Sequence, residues 1–139
     1  MTFDEIRPFL EANHRTVVTT LQPNGAVQTS VVVGGALNGK AVFVSVMGKS
    51  AKVRNLRRNP RCTVLGVDDN WRSWVSVQGE ATLFDYSNTD AEEMRVLLRD
   101  AYRACGGDHP DWDEYDSAMR KQDAVVVLVT PEHLYGQLR

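Results

Sequence analysis

Gly48-Lys49-Ser50-Ala51-Lys52-Val53-Arg54-Asn55-Leu56-Arg57-Arg58-Asn59-Pro60-Arg61 is the stretch on which the reading of this chain turns. It carries six of the sixteen Lys and Arg residues and no acid, in a protein whose formal net charge is -2. Ser50 suits a helix N-cap, Ala51 to Asn59 are helix-compatible, and Pro60 stops the helix. The strand-like run Ala41 to Val46 delivers the chain to this point. Free N–H groups at such a helix start, with Ser50 Oγ, Lys52 and Arg54 beside them, form an anion site suited to a phosphate. The same residues also fit a solvated basic helix, because charge runs usually face water. The rest of the chain sets ten basic residues against eighteen acidic ones. The positive field is therefore local, which fits one anionic ligand better than a nucleic-acid track.

Upstream of this stretch the pattern is β. Thr16 to Leu21 is β-branched, Pro23-Asn24-Gly25 signals a turn, and Val27 to Gly34 returns as a second strand, closed by Gly34-Gly35. Asn38-Gly39 makes the next turn, so three strands run as a meander into the basic helix. Before them, Phe3, Ile6, Phe9 and Leu10 fall on one side of a short helix spanning Phe3 to Asn13.

Downstream, Cys62 to Asp68 reads as a fourth strand and Trp74 to Asp85 as a fifth, with a bulge or bend at Gly79. Ala91, Met94, Leu97, Leu98, Ala101 and Tyr102 then recur at helical spacing, and Cys105-Gly106-Gly107 ends that helix. A further helix spans Asp111 to Lys121. The apolar run Ala124 to Thr130 is a strand buried on both faces, ended by Pro131, with His133 to Gly136 as a separate extended piece. These elements predict a mainly β, α+β fold: a six-stranded antiparallel closed or split β-barrel with short helices, one domain over residues 1–139.

A composition of 42% apolar and 24% charged residues is that of one globular domain. Cys62 and Cys105 lie far apart with no metal-ligand spacing, which excludes a zinc-finger pattern and suits a reduced, cytoplasmic setting. Met1 to Glu5 is acidic where a signal peptide is basic, and no run reaches the length of a membrane helix. The expectation is a cytoplasmic protein with no membrane and no nucleic-acid partner.

GxSxG, HExxH and CxxC are absent, and Gly48-Lys49-Ser50 fails as a phosphate loop because Phe43 stands where the upstream glycine is required. His14, His109 and His133 occur in separate segments without partners. Trp71 and Trp74 either pack in the fold or wall a flat ring, and Gln28, Thr29 and Ser30 either face water or meet ring carbonyls. No catalytic side chain is identified.

The Thr-Leu-x-Pro-x-Gly hairpin ending at Gly25, the run Lys52 to Arg61, and Gly79-Glu80-Ala81 together resemble the split β-barrel flavin and deazaflavin oxidoreductases related to pyridoxamine 5′-phosphate oxidase. The likeness runs the full chain. Asp108 to Tyr115 and His133 to Gly136 resemble the mycobacterial, coenzyme F420-binding branch. The resemblance implies an FMN-binding type of split barrel and a homodimer, with the cofactor in a groove between subunits.

It further implies a phosphate held by the turn and helix at Ser50, Ala51, Lys52 and Asn55, with Val53 also among the cofactor-binding residues, and a ring near Ser45, Val46, Trp71 and Trp74. Arg54, Arg57 or Arg58 would pair with an anionic polyglutamate tail. The function it implies is hydride transfer between reduced F420 and an unsaturated small-molecule substrate. An FMN-dependent enzyme of the same fold, or a non-catalytic F420 or haem binding protein, are the alternatives. The Arg-rich second FMN motif of pyridoxamine phosphate oxidases near the C-terminus is absent.

Overall fold

The structure, a computed structural model, describes all of residues 1–139. The chain opens with helix α1 (Phe3–Ala12), whose N-cap Thr2 accepts from the Glu5 amide. Strands β1 (Arg15–Leu21), β2 (Val27–Leu37) and β3 (Lys40–Ser45) follow, then α2 (Ala51–Arg58), β4 (Arg61–Val67) and β5 (Trp74–Phe84). Helices α3 (Ala91–Ala104) and α4 (Trp112–Lys121) precede the last strand, β6 (Val125–Gln137). The six strands close a barrel in the order β1-β2-β3-β6-β5-β4, every pairing antiparallel. Closure leaves no open sheet edge.

Alternation along the strands creates two cores. Ala41, Phe43, Val125, Val127 and Val129 point into the barrel with Val18, Val64, Val75 and Val77, and Ile6 and Leu10 of α1 plug one end. The opposite faces of β3 and β6 present Val42, Val126 and Leu128 outward, where Met94, Leu98 and Ala101 of α3 and Tyr115 and Met119 of α4 cover them. The first half of β6, Val125 to Val129, therefore reads as an unbroken apolar run because both its faces are covered.

Two sequence expectations change. Strand β2 does not close at Gly34-Gly35 but runs on to Leu37. The glycines are there for clearance: a Cβ on Gly35 would lie 2.1 Å from the Ala104 carbonyl oxygen, and one on Gly34 would lie 2.5 Å from Thr16 Oγ1. Pro131 likewise does not end the last strand. β6 continues through it to Gln137, because a register shift between Gln78 and Gly79 absorbs the irregularity. The bend expected at Gly79 is this one, and a Cβ there would strike the Thr130 carbonyl at 1.7 Å.

Candidate functional site

The turn from β3 into α2 is held by a short relay of hydroxyls. Ser45 Oγ donates to the Met47 carbonyl at 3.0 Å, which uses its single proton. Ser50 must then be the donor in the 2.9 Å contact between the two serine oxygens. Ser50 occupies the N-cap position as expected, yet its side chain makes no capping bond. The first helical bond of α2 runs from Arg54 N to Ser50 O. The amides of Ala51, Lys52 and Val53 consequently have no helical acceptor, and their positive end of the helix is open to an anion.

A cleft of about 550 Å³ starts at this notch, with Ser50 and Lys52 at one side, Val31, Val33 and Val44 along its length, and Tyr102 among the residues at the end of α3. Lys52 is half-buried, and burial lowers its pKa below the ordinary lysine value. It makes no salt bridge: the ion pairs of the protein involve arginines. A partly desolvated cation beside three free amides is a donor set without an acceptor, which fits a phosphate. Cys105 also lines the cleft, but burial pushes its thiol up to about 12, so it stays protonated. No group of three His, Cys, Asp or Glu side chains is placed to hold a metal ion.

The other sequence-selected residues separate into layers. Val46 is exposed and lines the cleft with Lys52 and Ser50. Ser45 and Val53 do not reach it by their side chains: Ser45 is buried behind the turn, and Val53 belongs to the barrel core, leaving its backbone amide as the only group it offers. Asn55 is buried as well. Its amide nitrogen donates to Thr20 Oγ1 at 3.1 Å and Gln28 Oε1 at 2.6 Å, and its oxygen accepts from Arg58 at 2.9 Å. Asn55 thus locks α2 to β1 and β2, and Gln28 is spent on that lock rather than facing a ligand.

Arg54 and Arg57 lie on the far flank of α2, in a second cleft with Lys49 and Asp85. There Arg57 pairs with Asp85 at 2.7 Å. Burial alone would raise the Asp85 pKa, but hydrogen bonds from the Ser87 hydroxyl, Arg57 and the Ser87 amide, with the Arg57 charge, hold it below its usual value. Arg58 sits at the C-terminal end of the helix, roughly 10 Å from the notch at 1.5 Å per residue, and donates to the Leu21 carbonyl.

Trp71 and Trp74 are not part of the Lys52 cleft. Trp71 is exposed with φ of 66°, a left-handed conformation unusual for a large side chain, and lines a neighbouring cleft of about 640 Å³. That cleft shares Val31 to Val33 with the first, so these valines form a ridge between the two. Trp74 packs its edge against Tyr135 with ring centroids 5.7 Å apart. Sequence reasoning missed Tyr102 as a cleft residue, since its place in a helical stripe reads as core. Only its position one turn before Gly106-Gly107 could have hinted otherwise.

Solved structures with this fold include a conserved hypothetical protein of Mycobacterium tuberculosis, 20% identical, with a TM-score of 0.75 over 98% of this chain and 84% of that one. An F420 reductase superposes with a TM-score of 0.68 at 18% identity, covering 93% and 94% of the two chains. A pyridoxamine 5′-phosphate oxidase-related, FMN-binding protein of Nostoc punctiforme gives 0.63 at 17% identity, over 96% and 79%. These likenesses fix the architecture as the split barrel. Residues 2–138 match the pyridoxamine 5′-phosphate oxidase sequence family, and with nearly the whole length accounted for, the chain belongs to that family.

Proposed function

We propose that this protein is an F420-dependent oxidoreductase, moving a hydride between the reduced deazaflavin and an unsaturated small molecule. The observation that carries the reading is the donor set at the start of α2: three unpaired amides and the half-buried, acid-free Lys52 at the edge of an apolar cleft. The bound cofactor supplies the hydride chemistry. The chain supplies what holds it: the amides and Lys52 grip the phosphate, Val31, Val33 and Val44 provide an apolar floor for a flat ring, and Lys49 and Arg54 offer charge to an anionic tail.

In this reading the active form is a homodimer. Val27, Val31, Val33, Val46, Met47 and Trp71 leave an apolar surface that no element of the chain covers, and such a surface is a contact site. A second copy closing over the valine ridge would turn the cleft into a groove between subunits. Trp71, which lies across the ridge from Lys52 in its own chain, would then reach the groove from the second chain.

FMN is the second reading, favoured by the FMN-binding relative of the same fold, because a phosphate notch holds either ring. Titration of the purified protein with F420, FMN and haem, followed by absorbance and fluorescence, tests the choice. Saturable binding of F420 and turnover of its reduced form with an unsaturated acceptor is the expected result. Preferential binding of FMN moves the activity to flavin chemistry, and binding of neither ring rejects the reading.

A further inference from the structure

Tyr102 is the one hydroxyl on the cleft that the fold does not use. Ser50 spends its proton on Ser45. Tyr115, stacked on Tyr102 with centroids 4.9 Å apart, donates to the Leu98 carbonyl at 3.0 Å. The Tyr102 hydroxyl makes no hydrogen bond to any protein group, although the residue is half-buried and lines the cleft; its backbone carbonyl accepts from the Gly107 amide at 2.9 Å. Every fully buried side-chain oxygen or nitrogen in the protein has a partner, so the Tyr102 hydroxyl is one that reaches solvent.

Its ring, by contrast, is held on several sides. Tyr115 stacks against it, Trp112 meets it edge-on at 6.0 Å, and Gly107 passes so close that a Cβ there would lie 2.6 Å from the ring. Gly106 adopts a positive φ of 84° and runs against His14, where a Cβ would approach within 2.6 Å. The end of α3 is thereby threaded tightly between the barrel and Tyr102. The ring packs against the outer core, and a rigid ring with a free donor at its tip is also a preorganised recognition group.

We infer that Tyr102 is a substrate-binding residue, donating its hydroxyl to the oxygen of a conjugated carbonyl on a flat, apolar substrate. This rests on the proposed function, which puts the cofactor at the Lys52 side of the same cleft. The chemical class follows from what the cleft offers: valine side chains for an apolar body, and one neutral O–H donor for an acceptor oxygen. A carbonyl is the group that makes a neighbouring double bond electron-poor, so the same contact selects molecules able to accept a hydride. A site with such a donor discriminates against an analogue that lacks the acceptor.

The test compares two probes of nearly equal shape, acetonaphthone and ethylnaphthalene, which differ in one carbonyl oxygen. They are titrated into the full-length protein loaded with whichever of F420 or FMN it binds, and affinity is read by calorimetry. The wild type should prefer acetonaphthone by roughly threefold to tenfold, the scale of one neutral hydrogen bond. Tyr102→Phe, which keeps the ring stack, should bind both probes alike while cofactor affinity and thermal unfolding stay unchanged. Gly107→Ala, which pushes the ring aside but keeps the hydroxyl, should also narrow the preference.

An undiminished preference in Tyr102→Phe, or no preference in the wild type, overturns the assignment while leaving the proposed function standing. Loss of cofactor binding in Tyr102→Phe overturns it too, by putting the residue against the cofactor. Failure of the wild type to bind either cofactor rejects the proposed function, and this inference with it.

Discussion

Two faces of the same barrel meet opposite fates. On β6, Val126 points outward and is wholly buried under α3 and α4, while on β2, Val31 points outward and is 86% exposed. The covered side also has its polar groups satisfied: Arg99 pairs with Asp116 at 2.5 Å and Tyr115 with Leu98. The bare side gathers what lacks a partner, namely the α2 amides, Lys52, the Tyr102 hydroxyl and the ridge valines. Unpaired donors and uncovered apolar surface in one place are what the proposed groove between two copies of the chain requires.

The largest break in that comparison is a matched pair of substitutions. Val126→Asp buries a charge beneath two helices and should cost more than about 4 kcal/mol, enough to unfold a domain of ordinary stability. Val31→Asp should leave the fold intact by circular dichroism, with a free-energy change within about 0.5 kcal/mol for the isolated chain. Its effect should appear in light scattering, as a mass of one chain where the wild type gives two. Equal destabilisation by both, measured at a concentration where the chain is monomeric, would show that the β2 face is as covered as the β6 face.

A second test sits on the far flank of α2. Asp85 accepts from the Ser87 amide at 2.8 Å, the Ser87 hydroxyl at 2.5 Å and Arg57 at 2.7 Å. Asp85→Ala removes all of these and should cost about 2 to 3 kcal/mol in chemical denaturation. Because its folded pKa is depressed, the carboxylate contributes stability above its unfolded value, and that contribution is lost as pH falls through the folded value. The wild type should therefore weaken in acid more than Asp85→Ala does. On the open side, Lys52→Ala should lower cofactor affinity by about 1 to 3 kcal/mol, the worth of a charged hydrogen bond, with no change in thermal unfolding.

The contrast between faces was only partly legible in the chain. Strands with β-branched runs, the Asn38-Gly39 turn and the helix stop at Pro60 are local signals, and local signals place local elements. Whether an outward valine is covered depends on where α3 and α4 dock, which no spacing within β2 or β6 states. The run of β6 through Pro131 was hidden for a similar reason: the strand keeps its pairing because Glu132 is left over between the partners of Gln78 and Gly79, and that register is set across two strands. At the site, charge drew attention to Lys52 but also to Arg54 and Arg57, which face the Asp85 cleft, and to Arg58, which reaches the end of β1. Ser45, Val53 and Asn55 look available in sequence because polarity and adjacency do not reveal burial.

The finest test of the open face is the pH dependence of Lys52 itself. Burial has lowered its pKa from 10.5, so the unfolded chain binds more protons in the window between the folded value and 10.5. Stability should rise slightly with pH across that window. Anion binding must run the other way, because phosphate interacts with the protonated amine, and affinity should fall as pH rises through the folded value. Lys52→Arg keeps its charge throughout and should flatten the fall, whatever it does to absolute affinity. If the wild type and Lys52→Arg lose inorganic phosphate in parallel between neutral pH and pH of about 10, the amine is not what holds the anion, and the α2 amides act alone.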